Sequence, residues 1–263
     1  MSTAAKEKWE AAISKCGALA HELEIESVAA GQRRCAWSTI GRPQLPDFIK
    51  RCADKGLMVM PIKWVGAFPG NGFLHYTPEG DSQAYCIIAR HLSDAITFRD
   101  AFEKADHEGQ GEMLGFPDCC RKAFAENWKV GFFDPIWQSA RESLGEYRHV
   151  YGKDYFQRVD SGYPYSNPLL RYIGLRVGFH IPHSFSCAAT VRSGTERLSL
   201  AKDQGLVKIL QALLSMPMKA ELFHGILTVK TPIFHMITYS VPTEEKYIIE
   251  VDGQWMPKEG NDV

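Results

Sequence analysis

The sequence has no apolar run of the ~18–20 residues that a membrane-spanning helix needs, so no helical membrane association is expected. It has almost no net charge: 30 Lys and Arg stand against 31 Asp and Glu, giving −1. A protein that grips nucleic acid through its phosphates is usually strongly basic, so this balance gives that function no support. The opening residues Met1 to Lys8 lack the apolar core of a signal peptide, and a cytoplasmic location is the expectation. The glycine-rich stretch 66–72 lacks the Gly-Lys-Ser/Thr ending of a phosphate loop. Internal repeats and low-complexity tracts are missing too. Cysteines number seven, an odd count, which does not read as a disulfide framework.

What is present is ordinary for a globular protein. The 263 residues are 45% apolar and 23% charged, enough to bury a sizeable core. A single domain over 1–263 is expected, of α+β or α/β class. Its parts would be an N-terminal α/β section (1–112), a helical section bearing Cys and His (113–216) and a β-rich tail (217–263).

Residues 4–23 have helical spacing, with Trp9, Ile13, Cys16, Ala20 and Leu23 on one face. The periodicity fades over 24–45. Within that stretch Gly31 to Trp37 reads as a loop, its Arg33 and Arg34 either solvated or gripping an anionic ligand. A short helix follows Pro43 and Pro46 and ends at Gly56. Leu57 to Met60 then reads as a strand that Pro61 should end or confine to an edge. Strands are expected at 73–76 and 84–89, and a helix from Asp94 to Lys104. Cys16, Cys52 and Cys86 read as core residues.

Further on, Asp134-Pro135 opens a helix to about Leu144. Residues 145–166 are rich in Tyr and charge and form a surface excursion or a lid. Asn167-Pro168 opens another short helix. Residues 188–204 look helical, and Leu206, Ile209, Leu210, Leu213 and Leu214 form an apolar stripe after Gly205. The tail, from Leu222 to Val251, alternates strands and short turns as an antiparallel meander would.

Two segments concentrate the chemistry. The first is Gly115-Phe116-Pro117-Asp118-Cys119-Cys120. Pro117 presets the backbone for a first helical turn, and Asp118 suits the positive end of the helix. The two thiols therefore sit where free N–H groups and the helix dipole favour thiolate. Adjacent side chains diverge by about 100° around a helix, so both cannot face one core. The second segment is His180-Ile181-Pro182-His183-Ser184-Phe185-Ser186-Cys187. His183 and Cys187 share a face if a helix has begun. Imidazole and thiolate are the ligands borderline metals prefer.

These motifs resemble an uncharacterised family whose pattern is Gly-Tyr-Pro-x-Cys-Cys followed by His-x-Pro-Cys-Ser-x-x-Cys. The resemblance covers about residues 84–190. It implies no particular activity or substrate. The chain departs from the pattern at His183, where the family has cysteine. That exchange keeps a metal-binding group and disfavours an all-cysteine cluster.

The expectation is thus a metalloenzyme acting on a small molecule or nucleotide. Cys119, Cys120, His183 and Cys187 are its expected metal ligands, and Cys119, Cys120 and His180 its expected catalytic groups. An iron–sulfur cluster is preferred to zinc, because adjacent cysteines seldom both reach one ion while a cluster offers separate irons. Two alternatives stand beside it. One is a metal-free enzyme for sulfur transfer or redox chemistry, with a cysteine thiolate as nucleophile and His180 or His183 as base. The other is a zinc-stabilised binding module without catalysis.

Overall fold

The computed structural model describes residues 3–66, 79–129, 136, 139, 155–160, 164–223, 226–239 and 246–252. The expected strand at 73–76 lies outside them. So does the helix of 134–144 apart from Ile136 and Ser139, both helical, and so do 145–154 and 161–163 of the expected lid. The described residues form an α+β protein, and the chain divides into two compact units. One comprises Met1–Ala20 with Glu126–Val263, the other His21–Ala125.

Helix α1 spans Thr3–Ala29. Cys16, Ala20 and Leu23 are buried along it, as the spacing predicts, while Trp9 and Ile13 of the expected face are half-buried and Ala12 is buried beside them. It runs past the expected end near residue 23, because Ile25 and Val28 continue the buried face. Gly31 then turns the chain with a φ of 73°, a conformation that costs glycine little.

The unit 21–125 is built on three antiparallel strands, β1 (Cys35–Gly41), β2 (Met58–Val65) and β3 (Gln83–Ala89), in the order β1-β3-β2. Side chains alternate between the two faces of a strand, and this sheet uses both. Ala36 and Ile88 join Ile25, Val28, Phe48, Cys52 and Leu57 in one apolar cluster. Cys35, Ile87 and Ala89 join Ala95, Phe98, Met113 and Leu114 in another. Helix α2 (Leu45–Ala53) supplies the first cluster, and α3 (Leu92–Glu103) with α4 (His107–Met113) the second. Pro61 lies inside β2 rather than ending it. β2 is an edge strand whose pairing shifts between Pro61 and Lys63, the setting in which a strand tolerates proline.

The loop expected over Gly31–Trp37 is corrected from residue 35 onward: Cys35, Ala36 and Trp37 are strand, because both faces of β1 are covered. Arg33 is neither solvated nor set to grip a ligand. It is buried in an ion pair with Glu24, also buried, and donates to the Leu114 carbonyl at 3.3 Å. A buried charge needs this kind of compensation. Arg34 pairs with Asp94 at 2.6 Å.

In the other unit five strands run in the order β4-β8-β5-β6-β7. They are β4 (Tyr155–Asp160), β5 (Met218–Phe223), β6 (Ile226–Lys230), β7 (His235–Tyr239) and β8 (Lys246–Asp252). β5, β6 and β7 form the expected antiparallel meander. β4 pairs in parallel with β8, which makes the sheet mixed. The helix expected over 188–204 is α6 (Ala188–Leu198), which ends earlier than expected, and the apolar stripe expected after Gly205 lies on a separate helix, α7 (Gln204–Leu214). Asp203 divides them, its carboxylate accepting from the Leu206 N–H at 2.9 Å as the N-cap of α7. Val207, Leu210, Leu213 and Leu214 bury the apolar face of α7. The helix expected after Pro168 is a 3₁₀ segment, Leu169–Ile173.

Candidate metal centre

The first motif is the junction of two helices. α4 ends in a Schellman arrangement: the Phe116 N–H donates to the Gly111 carbonyl and the Gly115 N–H to that of Glu112, both at 2.9 Å. Gly115 carries the positive φ of 64° that this ending requires. A Cβ there would lie 2.9 Å from the Cβ of Arg33. Pro117 follows, where a helix cannot continue, and its carbonyl accepts from the N–H groups of Cys120 and Arg121 at 2.9 and 3.0 Å. Helix α5 (Asp118–Lys129) starts there. Gly, Phe and Pro are thus the punctuation that delivers Cys119 and Cys120 into the first turn of α5. Asp118 is held below the usual carboxylate range by its hydrogen bond to Lys122, at 2.9 Å, with further help from the charges of Lys122 and Arg121.

The second motif is not helical at His183. Cys187 instead closes a turn, its N–H donating to the Ser184 carbonyl at 3.3 Å. That turn, rather than a helical face, brings positions 183 and 187 together. The segment is tied down through its own carbonyls. Arg171 donates to those of Gly178, at 2.7 Å, and Phe179, Ser139 to that of Pro182, and Ser166 to that of Phe185 at 2.5 Å. Arg176 stacks over the Phe179 ring at 4.1 Å.

Cys187 is the N-cap of α6. Its Sγ accepts from the Thr190 N–H at 3.4 Å and from the Thr190 hydroxyl at 3.2 Å. Sulfur here takes the part that a Ser or Asp oxygen usually plays. The Nε2 of His180 lies 2.8 Å from the same hydroxyl oxygen, and His180 is buried.

The ligand atoms of Cys119, Cys120, His183 and Cys187 all lie within 4.8 Å of one another. This Cys₃His group could hold a metal ion. The two adjacent sulfurs are 3.9 Å apart. Cys120 and Cys187 are buried, whereas Cys119 is partly exposed. His180 is not one of the four; it reaches the sulfur of Cys187 through Thr190.

The other cysteines are separate from this chemistry. Burial pushes the thiols of Cys16, Cys52 and Cys86 up to about 11 and that of Cys35 up to about 12. They stay neutral in the core, as the sequence suggested for Cys16, Cys52 and Cys86.

Thr190 was not foreseen. The signal for it is the Cys-x-x-Thr spacing, which places a hydroxyl over an N-cap side chain three residues earlier. No protein-family model, curated protein or solved structure matches this chain.

Proposed function

We propose that the protein is a metal-dependent one whose centre is a single tetrahedral ion, zinc by its donor set, bound by Cys119, Cys120, His183 and Cys187. The observation that carries this reading is the mutual approach of the four ligand atoms to within 4.8 Å. A tetrahedron with metal–sulfur bonds of about 2.3 Å has edges of about 3.8 Å. The Cys119–Cys120 separation of 3.9 Å fits such an edge. In an iron–sulfur cluster two thiolates on one iron share a similar edge, while thiolates on different irons are held further apart by the inorganic sulfide between the irons. The compactness of the four-ligand group supports a single ion, and we propose zinc in place of the cluster preferred from sequence; metal analysis decides between them. Three thiolates and a neutral imidazole around Zn²⁺ leave a net charge of −1, which makes the bound sulfurs electron-rich.

The metalloenzyme reading takes a specific form here. Four protein ligands fill a tetrahedral ion, which leaves no open position for water or substrate. Chemistry would then occur on a bound sulfur, and Cys119 is the partly exposed one. A lone pair of the Cys119 thiolate would form a sulfur–carbon bond to an electrophilic small molecule, while the carbon–leaving-group electron pair departs with the leaving group. Helix α5 starts beside this thiolate and favours its charged form.

The test is to purify the protein without oxygen and measure its metal and its spectrum. Colourless protein with one zinc per chain supports the single ion. A brown sample with iron and sulfide overturns it in favour of a cluster. Metal-free protein with one fast-reacting thiol overturns it in favour of the thiol enzyme. Iodoacetamide added to the zinc-loaded protein tests the nucleophile: the reading requires alkylation at Cys119, and an unmodified Cys119 removes it.

A further inference from the structure

We infer that Thr190 and His180 are positioning residues for the Cys187 ligand, and that their hydroxyl–imidazole pair sets how strongly this sulfur donates to the metal. The inference rests on the metal reading above and goes beyond it, because neither residue is a ligand.

The hydrogen bonds fix the direction of the device. A metal-bound thiolate can only accept, so with Cys187 as ligand the one Thr190 hydroxyl proton goes to Cys187 Sγ over 3.2 Å. The oxygen must therefore accept from His180 at 2.8 Å, which places a proton on Nε2. The chain runs His180 Nε2–H to Thr190 Oγ1, then Thr190 O–H to Cys187 Sγ. Both Thr190 and His180 are buried, so water does not compete for these bonds and low polarity strengthens them. Each link polarises the next toward the sulfur. The Thr190 N–H adds a second donor at 3.4 Å. Two donors on one sulfur favour thiolate over thiol, the form that binds metal.

The local frame holds the imidazole in place. Arg171 fixes the carbonyls of Gly178 and Phe179, immediately before His180. At Gly178, the space of a Cβ is filled by the Arg197 guanidinium, with His180 Nδ1 3.4 Å away. Any side chain at 178 would displace these groups, so glycine there serves the orientation of His180. Groups behind a metal ligand typically matter by about 10–100-fold in affinity.

The experiment loads wild type, T190V, T190S and H180F with Co²⁺ in place of zinc. It records the sulfur-to-cobalt charge-transfer band and measures cobalt affinity by chelator competition. Valine keeps the shape and the backbone N–H and loses only the hydroxyl. T190V should bind cobalt about 10–100-fold more weakly, with its charge-transfer band moved to lower energy, because the sulfur electrons are less stabilised. T190S should restore both. H180F should shift the band in the same direction by a smaller amount. Wild-type affinity and band in T190V, with wild type itself loaded, would overturn this inference and leave the metal site standing. Wild type that takes up no cobalt would overturn both. Circular dichroism of each variant separates these results from misfolding, and a T190V that does not fold passes the decision to H180F, where an unmoved band overturns the inference.

Discussion

The sulfurs of Cys119 and Cys120 stand 3.9 Å apart, although their side chains leave adjacent positions of one helix. In the first turn of α5 both thiols lie near the positive end of the helix, and neighbouring side chains there can converge on one ion. In the proposed site the pair would supply two of the four ligands, with His183 and Cys187 as the others.

Removal of any one corner should cost more than loss of an outer-shell group. We expect C119S, C120S, C187S and H183A each to lower zinc affinity by more than about 100-fold, measured by competition with a chromophoric chelator. C119S should suffer least, since its position is the one nearest solvent and water can take the vacated place. Equal retention of zinc in all four variants would remove the assignment.

The two chemical motifs were legible in sequence because each carries reactive residue types beside a helix signal. The strand at 35–41 was not, since its run Cys35-Ala36-Trp37-Ser38-Thr39-Ile40-Gly41 shows no regular alternation of apolar and polar residues. The end of α6 at Leu198, earlier than the expected 204, was missed because Asp203, three residues before Leu206, reads as an ordinary charged position until its bond as the N-cap of α7 is seen. The ring of contacts behind the metal centre was illegible for a different reason. Thr190 acts through a hydroxyl that any helix could carry, and only its distance to Cys187 gives it meaning.

Gly115 is a position where sequence and geometry agree on glycine. Its φ of 64° and the 2.9 Å approach of a would-be Cβ to Arg33 both penalise a side chain. G115A should destabilise the protein by about 1–3 kcal/mol, read as a shift in the denaturation midpoint. It should also weaken metal binding, because the same turn aims α5. A variant with normal stability and normal affinity would show that the turn is not what places the cysteines.

Lys55 bridges Glu22, at 2.9 Å, and Glu26. Burial raises the Glu22 carboxyl, but the hydrogen bond and charge of Lys55 outweigh it and leave Glu22 lowered. Lys55 is raised, chiefly by its hydrogen bond to Glu26. A lowered carboxylate adds stability above its unfolded pKa, and that stability disappears as the pH falls through the folded value. K55M should therefore lose about 1 kcal/mol or less near neutrality, and the gap to wild type should shrink on acidification below the ordinary carboxylate range. Urea unfolding at neutral and acidic pH measures both; a constant gap would show that the loss is one of packing rather than charge.

The four core thiols offer the cleanest contrast with the metal centre. Cys35, Cys52 and Cys86 lie in the unit 21–125 and Cys16 on α1, all fully or almost fully buried. Their thiols are pushed up to about 11 or 12, so at neutral pH almost none is thiolate, and thiolate is the reacting form. Labelling of the native protein with a thiol–disulfide reagent should leave all four unmodified, with mass spectrometry of the digested chain identifying the sites. On the proposed reading, removing the metal with a chelator should speed modification at Cys119, Cys120 and Cys187 while the core four stay silent until denaturant unfolds the chain. If chelation alone exposed Cys35, the ion would be maintaining the packing of the 21–125 unit and not only the centre it binds, since Cys35 is covered by Ala95, Phe98, Met113 and Leu114.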